Sequence, residues 1–268
     1  MNSTIGIIGF GWLGTPLGKM LLNKRYQVRG STTSDDKLIQ LSNQGFLPFK
    51  VELHESGING DIDELLSHLD ILIINVPPNL RKNPKGNYVD KIKNLKKACL
   101  KAQIKKILFV SSTSVYGTVE GDITEETVPN PKTNSGQQLL EAENLFLKDE
   151  HFQTTILRLG GLIGGDRHPI YQLSNKEFKN GEELVNLIHQ DDAIHMVSTI
   201  IKNGYWNEVF NGVYPYHPKK SDYYASEAKK RGVPPPVFIP NKIERPKKRI
   251  IFRNFYVKGH ELTTSISS

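Results

Sequence analysis

Short unbroken apolar runs alternate along the chain with longer stretches in which apolar residues return every three or four positions. Ile5-Gly6-Ile7-Ile8 reads as a buried strand, and after it Leu13, Leu17, Met20 and Leu21 recur at helical spacing. The rhythm then repeats. Strands are predicted over 26–32 and 46–51, around a short helix over 35–43 that ends near Gly45, with a further helix over 61–69. Residues 70–76 form an uninterrupted buried strand stopped by Pro77-Pro78. A helix over 88–103 carries apolar residues at 88, 92, 95, 99 and 102, then come a strand at 107–110, a helix over 136–148 and a sixth strand at 154–159. Strictly alternating strands and helices point to an α/β fold, a doubly wound parallel sheet of the Rossmann type built from two βαβαβ halves.

Beyond Gly165 the pattern loosens. A short strand is expected over 182–188, a helix over 191–203 with Ile194, Val197 and Ile201 on one side, and a strand at 209–213. Ser221 is expected to cap a helix ended by Gly232 and Pro234-Pro235-Pro236. The chain therefore divides into a dinucleotide-binding domain over 1–165 and a smaller, partly interleaved substrate lobe over 166–268. The last ~15 residues carry too little pattern to assign.

The first strand runs straight into Gly9-Phe10-Gly11-Trp12-Leu13-Gly14, a G-x-G-x-x-G between strand and helix. The first glycine permits a tight turn, the second lets backbone approach a pyrophosphate, and the third lets helix pack on strand. The helix N-terminus then presents unpaired N–H groups and a partial positive charge to the anion. All six residues are expected at the cofactor. Asn75 and Val76 at the end of the fourth strand and Pro77 after it, together with Ser111, complete the expected contacts.

The second strand ends Val28-Arg29-Gly30-Ser31-Thr32-Thr33-Ser34, with no carboxylate before Asp35-Asp36. An acidic residue there usually holds the ribose of NAD, whereas hydroxyl and basic residues accept the additional phosphate of NADP. Ser31, Thr32 and Thr33, with Arg29 or Lys37 supplying charge, favour NADP and leave NAD as the alternative.

Composition adds limits. No apolar run approaches the ~20 residues of a membrane helix. The N-terminus enters a strand without a basic region or a small-residue cleavage site, so no signal peptide and a cytoplasmic location are expected. The single cysteine, Cys99, excludes an intramolecular disulfide, and its place on an apolar helix face makes it a packing residue. No metal site is expected. The net charge of +7 is concentrated late: residues 219–268 hold twelve Lys/Arg against four Asp/Glu. Clusters at Lys219-Lys220, Lys229-Lys230-Arg231 and Arg245-Pro246-Lys247-Lys248-Arg249 read as a solvated face or an attraction for an anionic substrate, in preference to a nucleic-acid surface.

Val110-Ser111-Ser112-Thr113-Ser114-Val115-Tyr116-Gly117 resembles the S-S-x-x-V-Y-G of extended short-chain dehydrogenases/reductases, the sugar-nucleotide epimerases and dehydratases. Further matches follow in order. Glu125-Glu126-Thr127 with Pro129 and Pro131 resembles the acidic-proline loop of that family. Leu157-Arg158-Leu159 with Gly164-Gly165-Asp166-Arg167-His168-Pro169 is similar to its L-R-x…Y-G-P-G-R segment, and Asn186-Leu187-Ile188-His189-Gln190-Asp191-Asp192 to its I-H-V-x-D. The resemblance spans about residues 4–240.

In that family a Tyr-x-x-x-Lys pair supplies an activated phenolate that exchanges a proton with a substrate hydroxyl while hydride moves to or from the nicotinamide. Counting back from Glu143, the tyrosine slot falls on Ser135 and the lysine slot on Leu139. The chain thus resembles the atypical branch lacking the pair. The resemblance implies an NAD(P)-dependent oxidoreductase or epimerase with a non-standard acid/base, acting on a small anionic or nucleotide-sugar-like substrate. Ser112 and Tyr116 are the catalytic candidates, Ser135, Arg167 and His189 the substrate contacts, and Asp192 the cap of the following helix. It also implies room for a homodimer through the helices over 88–103 and 136–148. The missing pair supports a second reading, a catalytically silent dinucleotide sensor or regulator.

Overall fold

In the computed structural model, residues 3–80, 83–240 and 247–267 are described. The N-terminal elements are β1 (Thr4–Ile8), α1 (Gly14–Asn23), β2 (Gln27–Thr32), α2 (Asp35–Asn43), β3 (Leu47–Leu53), β4 (Ile58–Gly60), α3 (Ile62–Leu66) and β5 (Ile71–Ile74). Next come α4 (Tyr88–Lys101), β6 (Lys106–Ser112), a 3-10 turn at Thr113–Tyr116, β7 (Gly121–Ile123), α5 (Asn134–Leu147) and β8 (Gln153–Leu159). The remainder comprises β9 (Gly161–Ile163), α6 (Ile170–Leu173), β10 (Glu177–Phe178), β11 (Leu187–His189), α7 (Gln190–Asn203) and β12 (Val209–Gly212). It closes with α8 (Lys220–Arg231), β13 (Val237–Phe238), β14 (Lys248–Ile250) and α9 (Arg253–Val257).

The large sheet has the order β12-β8-β6-β5-β1-β2-β3-β4, parallel throughout except for the antiparallel pair β3–β4. Strand order reverses between β1 and β5, whose register pairs Ile5 with Ile71 and Ile8 with Ile74. That reversal opens a crevice at the carboxyl ends of the strands, the place where an open α/β sheet binds its ligand.

Continuous apolar runs suit these strands because both faces are buried. Ile5, Ile7, Ile71, Ile73, Leu108, Leu157 and Leu159 point to the side covered by α1 and α7. Ile8, Leu72, Ile74, Ile107, Phe109 and Ile156 point to the side covered by α3, α4 and α5. Cys99 is buried in this second core, where burial pushes its thiol up to about 12, in keeping with packing. Asn87 starts α4 by accepting from Asp90 N (3.0 Å), and Thr133 starts α5 by accepting from Gly136 N (3.1 Å). Gly204 and Gly232 end α7 and α8 in the left-handed conformation.

Several elements differ from expectation. The strand predicted over 70–76 ends at Ile74, and the one predicted over 182–188 begins only at Leu187. Ser221 lies inside α8, where its hydroxyl bonds Asp222, and Lys219 stands at the cap position. Asp192 does not cap α7. His189 does, through Nδ1 accepting from Asp191 N at 3.2 Å. Residues 190–212 return to the large sheet: α7 covers it and β12 forms its edge beside β8.

The final stretch is ordered by contacts that no local pattern announces. β14 pairs in parallel with β7, and the side chain of Asn186 bridges the same strand, donating to Lys248 O (2.9 Å) and accepting from Ile250 N (2.9 Å). Asp192, 2 % exposed, accepts from Thr263 N and Thr264 N, both at 3.1 Å. Residues 245 and 246 of the expected basic cluster lie outside the described residues.

Candidate functional site

The glycine turn sits at the mouth of the crevice, and its three glycines are used differently. Gly9 has φ +101°, and a Cβ there would lie 2.5 Å from Asn75 O. A Cβ on Gly14 would collide with Gly9 O, so this glycine lets α1 meet the turn. Around Gly11 nothing lies within 4 Å of where a Cβ would stand. Gly11 is exposed, and the backbone N–H groups of Trp12 and Leu13 make no hydrogen bond among the described residues. Packing therefore accounts for Gly9 and Gly14. Gly11 and two free amides at a helix N-terminus remain, and these fit the pyrophosphate of a dinucleotide.

The other expected cofactor residues mostly hold the turn in place. Ser31 Oγ accepts from Gly9 N (2.9 Å), Ser31 O accepts from Phe10 N (3.0 Å), and Asn75 Nδ2 donates to Gly9 O (3.0 Å). The Phe10 ring fills the space beside Gly18 and Gly30, and Leu13 is buried, so neither side chain faces the crevice. Thr32 Oγ1 accepts from Ser34 N, and Val76 O accepts from Tyr88 Oη. Thr33 and Pro77 are exposed. Arg29 is drawn away from the expected phosphate position, because its Nη1 donates to three carbonyls at the end of α3, those of Glu64, Leu65 and Ser67. Lys37 remains: its Nζ donates to Phe10 O at 3.1 Å, next to the glycine turn.

At the end of β6, Ser112 is half-buried and accepts from Ser114 N (3.2 Å) at the start of the 3-10 turn. Ser135 is half-buried in the first turn of α5, and Gly136 packs against Ser114 O, which brings the two helical starts together. Leu139, in the lysine slot, is buried in the apolar core.

Tyr116 lies in the interior. It is 0 % exposed, donates to Asn211 Oδ1 (2.9 Å) and accepts from Arg158 Nη1 (3.0 Å). Burial raises its pKa despite the nearby Arg158. A phenol so enclosed is a packing and network residue. Ser111 likewise turns inward and donates to Glu143 Oε1 (2.5 Å). Glu143 is also paired with Arg158 Nη2 at 2.7 Å, deep between α5 and β8. Glu125 joins from the acidic-proline loop, accepting from Asn211 N (2.9 Å) and Asn254 N (3.3 Å), with its other oxygen lacking a partner among the described residues. Burial raises its pKa. The sequence pattern did not announce this network, although a buried Glu or Arg is uncommon unless paired.

Across the crevice, Arg167 is exposed, with its guanidinium 4.8 Å from the centre of the Trp12 ring. Gln190 Nε2 donates to Trp12 O (2.8 Å), and the His189 ring lies against Gly164. His189 thus organises the turn, and Arg167 stands at the glycine loop. A cavity of about 710 Å³ lies further along, walled by Thr113, Glu183, Asn186, Lys220, Tyr224 and Lys248 among others. Lys220 pairs with Glu183 at 2.6 Å. Lys248 Nζ donates to Gly117 O (2.9 Å), and burial, reinforced by Lys220, lowers its pKa. Sequence reading places both lysines in basic clusters, read as a solvated face or an attraction for an anionic substrate; in the fold both line the cavity wall. Among the described residues no group of His, Cys, Asp and Glu is arranged to hold a metal, and no helix is long and apolar enough to cross a membrane.

Residues 9–200 match the protein family described as NAD(P)H-binding. Protein YeeZ of Escherichia coli (strain K12) is 33% identical over 251 residues, covering 92% of this chain and 90% of its own length. The chloroplastic "Epimerase family protein SDR39U1 homolog" of Arabidopsis thaliana is 24% identical over 234 residues, 79% of this chain and 66% of its own. The structure of UDP-glucuronic acid 4-epimerase from Bacillus cereus in complex with NAD superposes with a TM-score of 0.79 at 19% identity, over 98% of this chain and 95% of that one. MoeE5 in complex with UDP-glucuronic acid and NAD gives 0.78 at 18% identity, over 99% and 95%. At such identities the structural likeness is one of fold.

Proposed function

The chain belongs to the NAD(P)H-binding family and has the fold of epimerase/dehydratase-type short-chain dehydrogenases, and from this we propose that it is an NAD(P)-dependent oxidoreductase or epimerase. Its substrate is a small anionic molecule of nucleotide-sugar type, and NADP is its preferred dinucleotide. The observation that carries the reading is the open face of Gly11 beside the free amides of Trp12 and Leu13, which packing does not explain. These groups would hold the pyrophosphate. Thr33 and Lys37 would face the ribose phosphate, since Ser31 and Thr32 are occupied by backbone donors and Arg29 by α3.

When bound, the dinucleotide supplies the hydride acceptor or donor. The chain's part is to orient the substrate and handle its proton. Ser112 and Ser135, at adjoining helical starts, offer hydroxyls that orient a substrate oxygen. A serine does not replace an activated phenol as a base, and Leu139 supplies no charge. Lys220, paired with Glu183, and Lys248 on the cavity wall offer donors to an anionic group of the substrate. The absence of the Tyr-x-x-x-Lys pair keeps a dinucleotide sensor as the second reading.

Titration with NADH and NADPH, followed by nicotinamide fluorescence, tests the proposal. NADPH is expected to bind more tightly, and Lys37→Ala to reduce that preference about tenfold, roughly 1.4 kcal/mol. Failure of both dinucleotides to bind would overturn it. Binding without hydride transfer to any member of a nucleotide-sugar panel selects the sensor.

A further inference from the structure

We propose that Arg167, stacked on Trp12, is a phosphate ligand of the dinucleotide delivered by the substrate lobe, and not a substrate contact. The inference rests on the dinucleotide reading above and concerns one side chain of that site. Four observations converge. The guanidinium lies 4.8 Å from the centre of the Trp12 ring, so it is held against the very residue whose backbone N–H is free. Among the described residues it makes no hydrogen bond or ion pair, whereas Arg29 Nη1 donates to the end of α3 and Arg158 pairs with Glu143. The turn that carries it is closed on itself by reciprocal bonds between Gly164 and Arg167, each 3.0 Å. Its neighbour Gln190 anchors the start of α7 to Trp12 O at 2.8 Å.

An arginine on an indole face keeps its N–H donors free at the edge, because the cation–π contact uses the face of the guanidinium. Those donors suit two phosphate oxygens at once, with a geometry that lysine does not reproduce. The site thus draws donors from two parts of the chain, the backbone amides of Trp12 and Leu13 and the guanidinium held against the Trp12 ring. The consequence is that the lobe senses the dinucleotide directly. With the cofactor in place, the 164–167 turn and the first turn of α7 gain a second anchor on the glycine loop.

The experiment uses the full chain and compares ADP-ribose, which carries the pyrophosphate, with adenosine, which does not, each as a competitor of NAD(P)H fluorescence. Arg167→Ala should weaken ADP-ribose tenfold or more and leave adenosine unchanged, and Arg167→Lys should recover part of the loss. In a Trp12→Leu background the Arg167→Ala penalty should shrink, since the platform is gone. Unchanged thermal midpoints separate these effects from misfolding, and Arg167 is exposed enough for that control to succeed. Equal ADP-ribose binding by wild type and Arg167→Ala, with NAD(P)H bound by both, would overturn this inference alone. No NAD(P)H binding by the wild type would overturn the dinucleotide reading itself.

Discussion

Gly11 and Gly14 are three residues apart and answer to different demands, so their alanine variants should fail differently. The added methyl of Gly14→Ala meets the carbonyl of Gly9, backbone that cannot step aside. A loss of about 1–3 kcal/mol is expected, read as a lower thermal midpoint. The methyl of Gly11→Ala enters open space. Its midpoint should stay near that of the wild type, while NAD(P)H affinity falls about tenfold or more, roughly 1.4 kcal/mol. Unchanged affinity in a folded Gly11→Ala would remove the pyrophosphate from this loop. His168 gives a second residue-scale prediction. Its Nδ1 accepts from Ile170 N (3.2 Å), which leaves the proton on Nε2, toward Tyr223 Oη (3.0 Å), and Tyr223 in turn donates to Ile266 O (2.7 Å). Burial and then the charge of Arg231 hold His168 down to about 4, against the opposite pull of Glu227. The native state therefore needs the neutral ring, whereas the unfolded chain takes up a proton near 6.5. Stability is intact above that value and declines as pH falls through 6.5 toward 4, by on the order of 3 kcal/mol. Thermal unfolding across this range should show the loss, with a shallower slope in His168→Gln.

Elements declared themselves in proportion to how local their causes are. β1, β5 and β6 are buried on both faces, so each is an apolar run visible by itself. α4 and α5 show their buried faces through spacing. β7 and β14, Gly-Asp-Ile and Lys-Arg-Ile, are short and largely exposed, and exist because they pair with each other across the molecule. Nothing local marks such a strand. The same reason hid α9 and the C-terminal segment, whose Phe255, Leu262 and Ile266 are buried by distant partners. In the site, the glycine turn was legible because its chemistry is contiguous. The roles of Tyr116, Asp192 and His189 were not, because each depends on what the fold brings alongside. Asp192 is the sharpest case: it resembles a helix cap and instead receives Thr263 and Thr264. Asp192→Ala should cost about 2–3 kcal/mol by leaving those donors unpaired. Amide exchange over 262–266 should accelerate more than exchange in β1, and equal acceleration at both places would deny the tether.

At the scale of the whole molecule, part of the basic C-terminal stretch is paired with acidic residues. Arg249 meets Asp122 and Arg253 meets Glu126 (2.8 Å), which ties the stretch to β7 and the acidic-proline loop. Both pairs are about half exposed or more, and exposed pairs contribute little. Asp122→Ala and Glu126→Ala should leave thermal unfolding unchanged at ordinary salt. Asn186→Ala, which strips both backbone partners from β14, should cost about 1–2 kcal/mol and weaken binding of anions in the cavity. The β7–β14 pairing also predicts an order of events. Residues 127 positions apart must meet before the wall carrying Lys248 exists, whereas the glycine turn needs only β1, β2 and the residues just after β5. Closing so long a loop is slow relative to building neighbouring βαβ units. Refolding should accordingly pass through a stage that already accepts the dinucleotide while its second chamber is still unbuilt, so that cofactor capture precedes, in time, any capacity to select a substrate.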